Sequence, residues 1–473
     1  MVHMENPVHS SAPKGREELR AQPPPARASS TGRGSTHRPQ FHHRPQFHHR
    51  PQFHPPTPAE RLRSVSMTSS QANTVQLPRI EPFRIDIPQS DLDDLHARLD
   101  RTRWPDELPG TGWAYGVPAG YLRELVRYWR HTYDWRAAEA ELNAWPQFTT
   151  TIDGSNVHFA HIRSPEPDAT PLILTHGWPG SIVEFVDIVG LLTDPAAHGG
   201  DHADAFHVVV PGIPGFGLSG PPADTGWEAG RIADAWAELM HRLGYERFGA
   251  QGGDWGSVIS RELGRAHPDR VIGVHLNLLP GAQAQTEPTA EELAQLAPEE
   301  RADALESWRR WAAWSREGTG YAVLHATRPQ TLAYGLTDSP VGQLAWIVEK
   351  FREWTDSEEL PEEAVDRDRL LTNVMLYWLT GTAGSAARIY YERAHATGTR
   401  AAAPTLPSTT PTALAVFPAE IQIPLRHKAE RTENIVRWTR LDRGGHFAAM
   451  EEPDLLAEDV RAFFRQVREK GVS

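Results

Sequence analysis

Between residues 171 and 280 lie four short apolar runs, PLILT, FHVVVP, RFGAQ and VIGVHLNLL, each followed by a turn rich in glycine or proline. Helical stretches separate them. Apolar strands of this kind, alternating with helices, specify a parallel, doubly wound α/β sheet. The alternation stops after the fourth run. Residues from about 283 to 410 read as mostly helical and carry five tryptophans between Trp308 and Trp354. Strand–helix order then resumes with PTALAVFPAE and IVRWTRLDRGGH and closes on a helix from Pro453. The expectation is therefore an α/β core in two parts, residues 148–282 and 411–473. A helical block, residues 283–410, is inserted over the carboxyl ends of the strands as a lid.

The chain before this core divides in two. Residues 1–75 are rich in Pro, Arg, Ser and His, and HRPQFH occurs three times in tandem from His37 to His54. A stretch so poor in aliphatic residues is expected to stay disordered. Its clustered histidines also invite a metal-binding reading, but without an ordered scaffold they do not make a site. Met67 opens a more ordinary stretch and is a second candidate start. Residues 76–147 read as a helical preface. Ser90 is the expected N-cap of a first helix bearing Leu92, Leu95 and Leu99 at helical spacing, and PAGYLRELVRYWRHTYDW is the second helix.

Composition narrows the function. A net charge of −13 disfavours a broad nucleic-acid surface. The absence of cysteine removes disulfides, thiolate metal sites and a thiol nucleophile, and fits a reducing, cytoplasmic setting. No apolar run reaches the length of a membrane span, and the N-terminus lacks the apolar stretch of a secretory signal. GFGLSG, residues 215–220, fits a dinucleotide fingerprint on paper. Pro221 and Pro222 follow it where a helix would be needed, so no cofactor is expected.

The chemistry centres on GGDWG. Gly252, Gly253 and Gly256 flank Asp254 between the third strand and a helix in which Ile259, Leu263 and Ala266 share a face. This is the layout of a nucleophile elbow with a carboxylate at the tip instead of a hydroxyl. The choice has a chemical reason. Serine attacking saturated carbon would form an inert ether. A carboxylate forms an ester whose own carbonyl water can then attack, restoring the acid. Asp254 therefore implies displacement at sp³ carbon followed by ester hydrolysis, for which strained epoxides and alkyl halides are suited. His446, in RGGHF after the final strand, is the expected base. Its acid partner is expected to be Glu420 of FPAE, which ends 27 residues (393–419) without an acid. Asp442 is nearer in sequence but lies on the incoming strand. The loop HGWPGS, residues 176–181, is where this fold keeps its oxyanion donors, and Pro179 suits a cis peptide that aims it.

HGWPGS, GGDWG, DSPVGQLAWIVEKF, FPAE and RGGHFAAMEEP together resemble the microsomal-type epoxide hydrolases of the α/β-hydrolase superfamily. The resemblance runs from about residue 80 to the C-terminus, preface included. It implies Asp254 as nucleophile, His446 as base and Glu420 as its partner. It also implies oxyanion donors at the backbone N–H groups of Trp178 and Trp255. Two lid tyrosines, matching Tyr321 and Tyr390, would hydrogen-bond the epoxide oxygen, with Tyr391 the alternative to Tyr390. The implied partner is a hydrophobic epoxide. The chain departs from the family in lacking a membrane anchor and in carrying the His-rich tail. A haloalkane dehalogenase with the same nucleophile and a catalytically silent binding protein are the rival readings; oligomeric state, including a homo-oligomer, is left open.

Overall fold

The computed structural model describes residues 79–397 and 407–471. The tail, the metal reading of its histidines and the candidate start at Met67 lie outside them.

A single sheet of nine strands organises the described residues. The strands are β1 (Glu81–Phe83), β2 (Gln147–Ile152), β3 (Ser155–Ile162), β4 (Thr170–Thr175), β5 (Phe206–Pro211), β6 (Phe248–Gly252), β7 (Val271–Leu276), β8 (Pro411–Val416) and β9 (Asn434–Arg440). Their spatial order is β1-β2-β3-β5-β4-β6-β7-β8-β9. From β5 to β9 every pairing is parallel, as the alternation predicts. From β1 to β5 every pairing is antiparallel. Strands β4, β6, β7 and β8 are largely buried, and helices such as Ala229–Arg242, Asp254–Ala266 and Pro453–Glu469 cover the sheet with amphipathic faces.

The sequence reading missed the antiparallel edge. β2 and β3 are joined by Asp153-Gly154, both at positive φ (47° and 79°), the two-residue turn that suits strand twist. β1 is a three-residue addition inside a region read as wholly helical. The preface also holds a third helix, Trp135–Leu142, capped by Asp134, whose carboxylate accepts from the Arg136 and Ala137 amides. Ser90 is not an N-cap. The first helix, Gln89–Asp100, follows Pro88, whose fixed φ already suits a helix entry, and Ser90 lies within its first turn. Ala266 is exposed rather than on the packed face with Ile259 and Leu263, because it is the helix's last residue and the chain turns away there.

The segment between β7 and β8 is helical from Ala290 to Ala394, while β7 and β8 themselves are neighbours in the sheet. The preface packs on this inserted block. Trp129 Nε1 donates to Met375 Sδ at 3.2 Å, Tyr128 donates to Asp368 at 2.8 Å, and Arg98 pairs with Asp338 at 3.1 Å. Among the described residues, no helix is long and apolar enough to cross a membrane.

The crossing of β6 into the helix Asp254–Ala266 is the tightest point of the core. A β-carbon placed on Gly256 would lie 1.8 Å from the Thr175 carbonyl oxygen of β4, a backbone atom that cannot step aside. Gly256→Ala is expected to cost at least about 3 kcal/mol of stability. Gly335→Ala, where a β-carbon meets nothing within 4 Å on an exposed helix, should be neutral or stabilise by up to about 1 kcal/mol. Urea unfolding of the two variants against the parent checks both.

Candidate active site

Asp254 stands at the end of β6 as the first residue of its helix, with φ +46°. A non-glycine residue in the left-handed region is uncommon and costs about 1–3 kcal/mol. Here the surrounding backbone imposes it, and the carboxylate is thrust off the sheet edge. Its Oδ1 accepts the Trp178 N–H at 2.7 Å. A β-carbon on the adjacent Gly177 would meet that oxygen at 2.2 Å, so only glycine lets the two loops approach this closely. The HGWPGS loop is pinned from behind. His176 accepts the Ile213 N–H through Nε2 at 3.3 Å and donates from Nδ1 to the Gly177 carbonyl at 3.0 Å. Burial pushes His176 down to about 4, which keeps it the neutral tautomer that both bonds require. The Trp178–Pro179 peptide is cis, as the loop suggested.

His446 and Glu420 meet this carboxylate from the loops that follow β9 and β8, strands parallel to β6. His446 Nδ1 lies 2.7 Å from Glu420 Oε1, and its Nε2 lies 3.5 Å from Asp254 Oδ2. The first is a short, charge-assisted bond; the second is too long for a strong one. The His446 and Glu420 side chains are each 2% exposed, whereas Asp254 keeps 17% open. Burial works against a charge on His446. Glu420 first, and then Asp254, outweigh it and hold the imidazole well above its ordinary value. Glu420 sits just beyond β8, where Arg310 of the inserted helix Pro298–Glu317 donates to the carbonyls of Pro418 and Glu420. Asp442 is exposed and pairs with Arg443.

The inserted block places aromatic side chains over Asp254. The Tyr321 ring stacks on Trp178 at 4.9 Å and 11°, and the Tyr390 ring meets Trp255 edge-on at 4.8 Å. Tyr321 and Tyr390 lie 5.8 Å apart, nearly perpendicular. Burial first, with the negative charge of Asp254 adding to it, lifts the Tyr321 hydroxyl far above its usual range. Burial, then Tyr321 and Asp254, do the same for Tyr390. Both therefore remain protonated donors, and the Tyr390 oxygen is buried with no hydrogen-bond partner among the described residues. Tyr391 is exposed and stacks on His395 at 3.9 Å. Of the two adjacent tyrosines, Tyr390 is the one that packs against Trp178 and Trp255. Trp255 N–H belongs to the first turn of its helix, where no i−4 carbonyl is available to it.

Three neighbours escaped sequence reading. Lys350 is buried, paired with Glu349 and Glu353, with Nζ 5.1 Å above the Tyr321 ring. His325 accepts from Trp346 Nε1 at 3.1 Å, and burial pushes it down to about 3. Glu184 lies beside the HGWPGS loop. The only sequence signal for it is an acid among the apolar residues of SIVEF.

The comparisons with known proteins agree with this geometry. The model "Epoxide hydrolase N terminus" matches residues 80–185, and "alpha/beta hydrolase fold" matches residues 170–355. A protein of Stigmatella aurantiaca (strain DW4/3-1) is 48% identical over 392 residues, covering 83% of this chain and 86% of its own length. Epoxide hydrolase 1 of Sus scrofa is 36% identical over 400 residues, covering 81% of this chain and 88% of its own. Among solved structures, the juvenile hormone epoxide hydrolase of the silkworm Bombyx mori superposes with a TM-score of 0.77 at 30% identity. It covers 84% of this chain and 97% of its own. The Aspergillus niger epoxide hydrolase gives 0.71 at 34% identity, over 82% and 97%. With this coverage, and with a carboxylate at the elbow facing a buried histidine, the chain belongs to the microsomal-type epoxide hydrolase family of the α/β-hydrolase fold.

Proposed function

We propose that this enzyme converts a hydrophobic epoxide and water to a vicinal diol through a covalent ester on Asp254. The observation that carries the reading is that His446 Nε2, the buried Tyr321 and the buried hydroxyl of Tyr390 all lie within reach of the charge of Asp254, one of whose oxygens is already tied to Trp178 N–H. Substrate lies beneath the inserted helices, which act as the lid. The Tyr321 and Tyr390 hydroxyls hydrogen-bond the epoxide oxygen, and Asp254 Oδ2 attacks a ring carbon from the opposite face. The carbon–oxygen bond breaks, and the nascent alkoxide takes a proton from tyrosine. Oδ1, held by Trp178, becomes the ester carbonyl oxygen.

Ester formation removes the negative charge of Asp254. One support of the imidazolium is then gone, so His446 gives up its proton, which restores the tyrosine hydroxyl. The neutral imidazole, still oriented by Glu420, can now take a proton from water. Hydroxide attacks the Asp254 carbonyl carbon. The oxyanion is held by the N–H groups of Trp178 and Trp255, a pair in which one donor is typically worth about 3–4 kcal/mol. Collapse releases the diol and returns the carboxylate. The aromatic lining of Trp178, Tyr321, Trp354 and Tyr390 supports an apolar substrate. Two hydroxyl donors suit an epoxide oxygen; a halide leaving group would need neither as an acid.

His446→Gln should ring-open styrene oxide but not cleave the ester. Intact-protein mass spectrometry after one turnover should then show one added epoxide mass, lost in the double variant with Asp254→Asn; unmodified protein would count against the scheme. Tyr390→Phe should lower kcat/KM at least about tenfold, and Tyr321→Phe/Tyr390→Phe should remove nearly all turnover. Tyr391→Phe should leave the rate unchanged, which steady-state diol formation measures directly.

A further inference from the structure

The turn after the cis-proline loop carries an acid that the scheme above leaves idle. Glu184 lies in the 3-10 turn Ile182–Phe185, whose entry is capped by Ser181 Oγ accepting from Val183 N–H at 3.2 Å. Its neighbours Ile182, Val183 and Phe185 are buried in the apolar core. The Glu184 carboxyl curls back over the loop. A β-carbon on Gly180 would lie 1.6 Å from Glu184 Oε1 and 2.5 Å from its Cδ, so the carboxyl fills the space a side chain at position 180 would take. Tyr377 fixes this loop from the inserted block by donating to the Gly180 carbonyl at 2.6 Å.

That position is near enough to His446 and Asp254 for their charges to reach the Glu184 carboxyl, whose support is the backbone amide of Gly177, the residue packed against Asp254. It is half-buried and keeps some accessible surface. Burial pushes its carboxyl up to about 8, with Asp254 adding to the rise and His446 and the Gly177 amide opposing it. At neutral pH it is then mostly a neutral acid with an O–H to give and lone pairs to spare. His446 Nε2, too, is buried with no hydrogen-bond partner among the described residues. A carboxyl with hydrogen-bonding capacity beyond the Gly177 amide, and an imidazole nitrogen without a partner, are what an ordered water needs.

We propose that Glu184 is a second holder of the hydrolytic water: its carboxyl hydrogen-bonds the molecule that His446 deprotonates, serving ester cleavage and not ring opening. The proposal rests on the Asp254 ester scheme. The water proton passes to His446 Nε2 and its oxygen bonds to the Asp254 carbonyl carbon. Glu184 keeps its own proton throughout, so no further acceptor is required.

The test separates the two half-reactions by quench-flow mass spectrometry with styrene oxide. Glu184→Leu fills the space without a polar group. It should form the adduct within about threefold of the parent rate, yet lose it at least about tenfold more slowly, the worth of one hydrogen bond. The adduct would then accumulate in steady state. Glu184→Gln, which keeps a donor and an acceptor, should restore most of the decay rate. Unchanged decay in Glu184→Leu, equal slowing of both steps, or no rescue by Glu184→Gln would overturn the role. If Glu184→Leu does not fold, Glu184→Ala and Glu184→Ser carry the same comparison. Failure of the parent and His446→Gln alike to form any adduct would instead overturn the ester scheme itself.

Discussion

The site depends on one steric constraint: β6 must turn into its helix while passing within van der Waals contact of β4. Gly252 and Gly256 make the passage possible. A β-carbon on Gly252 would meet the Gly256 carbonyl at 2.3 Å, and one on Gly256 would meet that of Thr175 at 1.8 Å. The left-handed backbone of Asp254 sits at that crossing. The carboxylate needs few bonds of its own to stay in place. One amide holds one oxygen, and the other is left for chemistry.

The remaining groups are held by elements distant in sequence. His446 donates its backbone N–H to the Trp354 carbonyl at 2.8 Å, at the end of the inserted helix Pro340–Trp354. Its carbonyl accepts from Asn277, which also accepts from Gln251 of β6. Glu451 then accepts the Asp356 and Phe447 amides, both at 2.8 Å, so the segment after Trp354 and the histidine loop share one carboxylate. Burial pushes that carboxylate up to about 7. The block that presents the tyrosines thus also sets the height of the histidine, and neither can shift without the other.

Much of this was legible from sequence where a physical pattern was strong. Apolar runs ending in glycine turns identified β4 to β9, and the elbow, HGWPGS, FPAE and RGGHF located Asp254, Trp178, Glu420 and His446, which the fold brings together. The antiparallel edge is weakly marked in sequence: Asp153-Gly154 signals a hairpin turn, but β2 is half polar and offers no continuous apolar run. Ser90 misled because Pro88, two residues earlier, took over the entry to the helix. Tyr390 and Tyr391 could not be separated by spacing, since one residue on a helix rotates a side chain by about 100°. Glu184 was invisible for a deeper reason. Its position depends on the empty side-chain space of Gly180, a pairing that exists only once the loop has folded.

Arg369 of the inserted helix Arg367–Thr380 reaches Glu141 of the preface at 2.7 Å and Asp187 of the core at 3.1 Å. Singly, such exposed pairs contribute little. This one joins three separate stretches of chain at one guanidinium, beside the Tyr128, Trp129 and Tyr133 contacts to the same helix. A cover riveted at its rim does not swing open as a plate. Moving the inserted helices as one body would have to break the Glu141 and Asp187 attachments together.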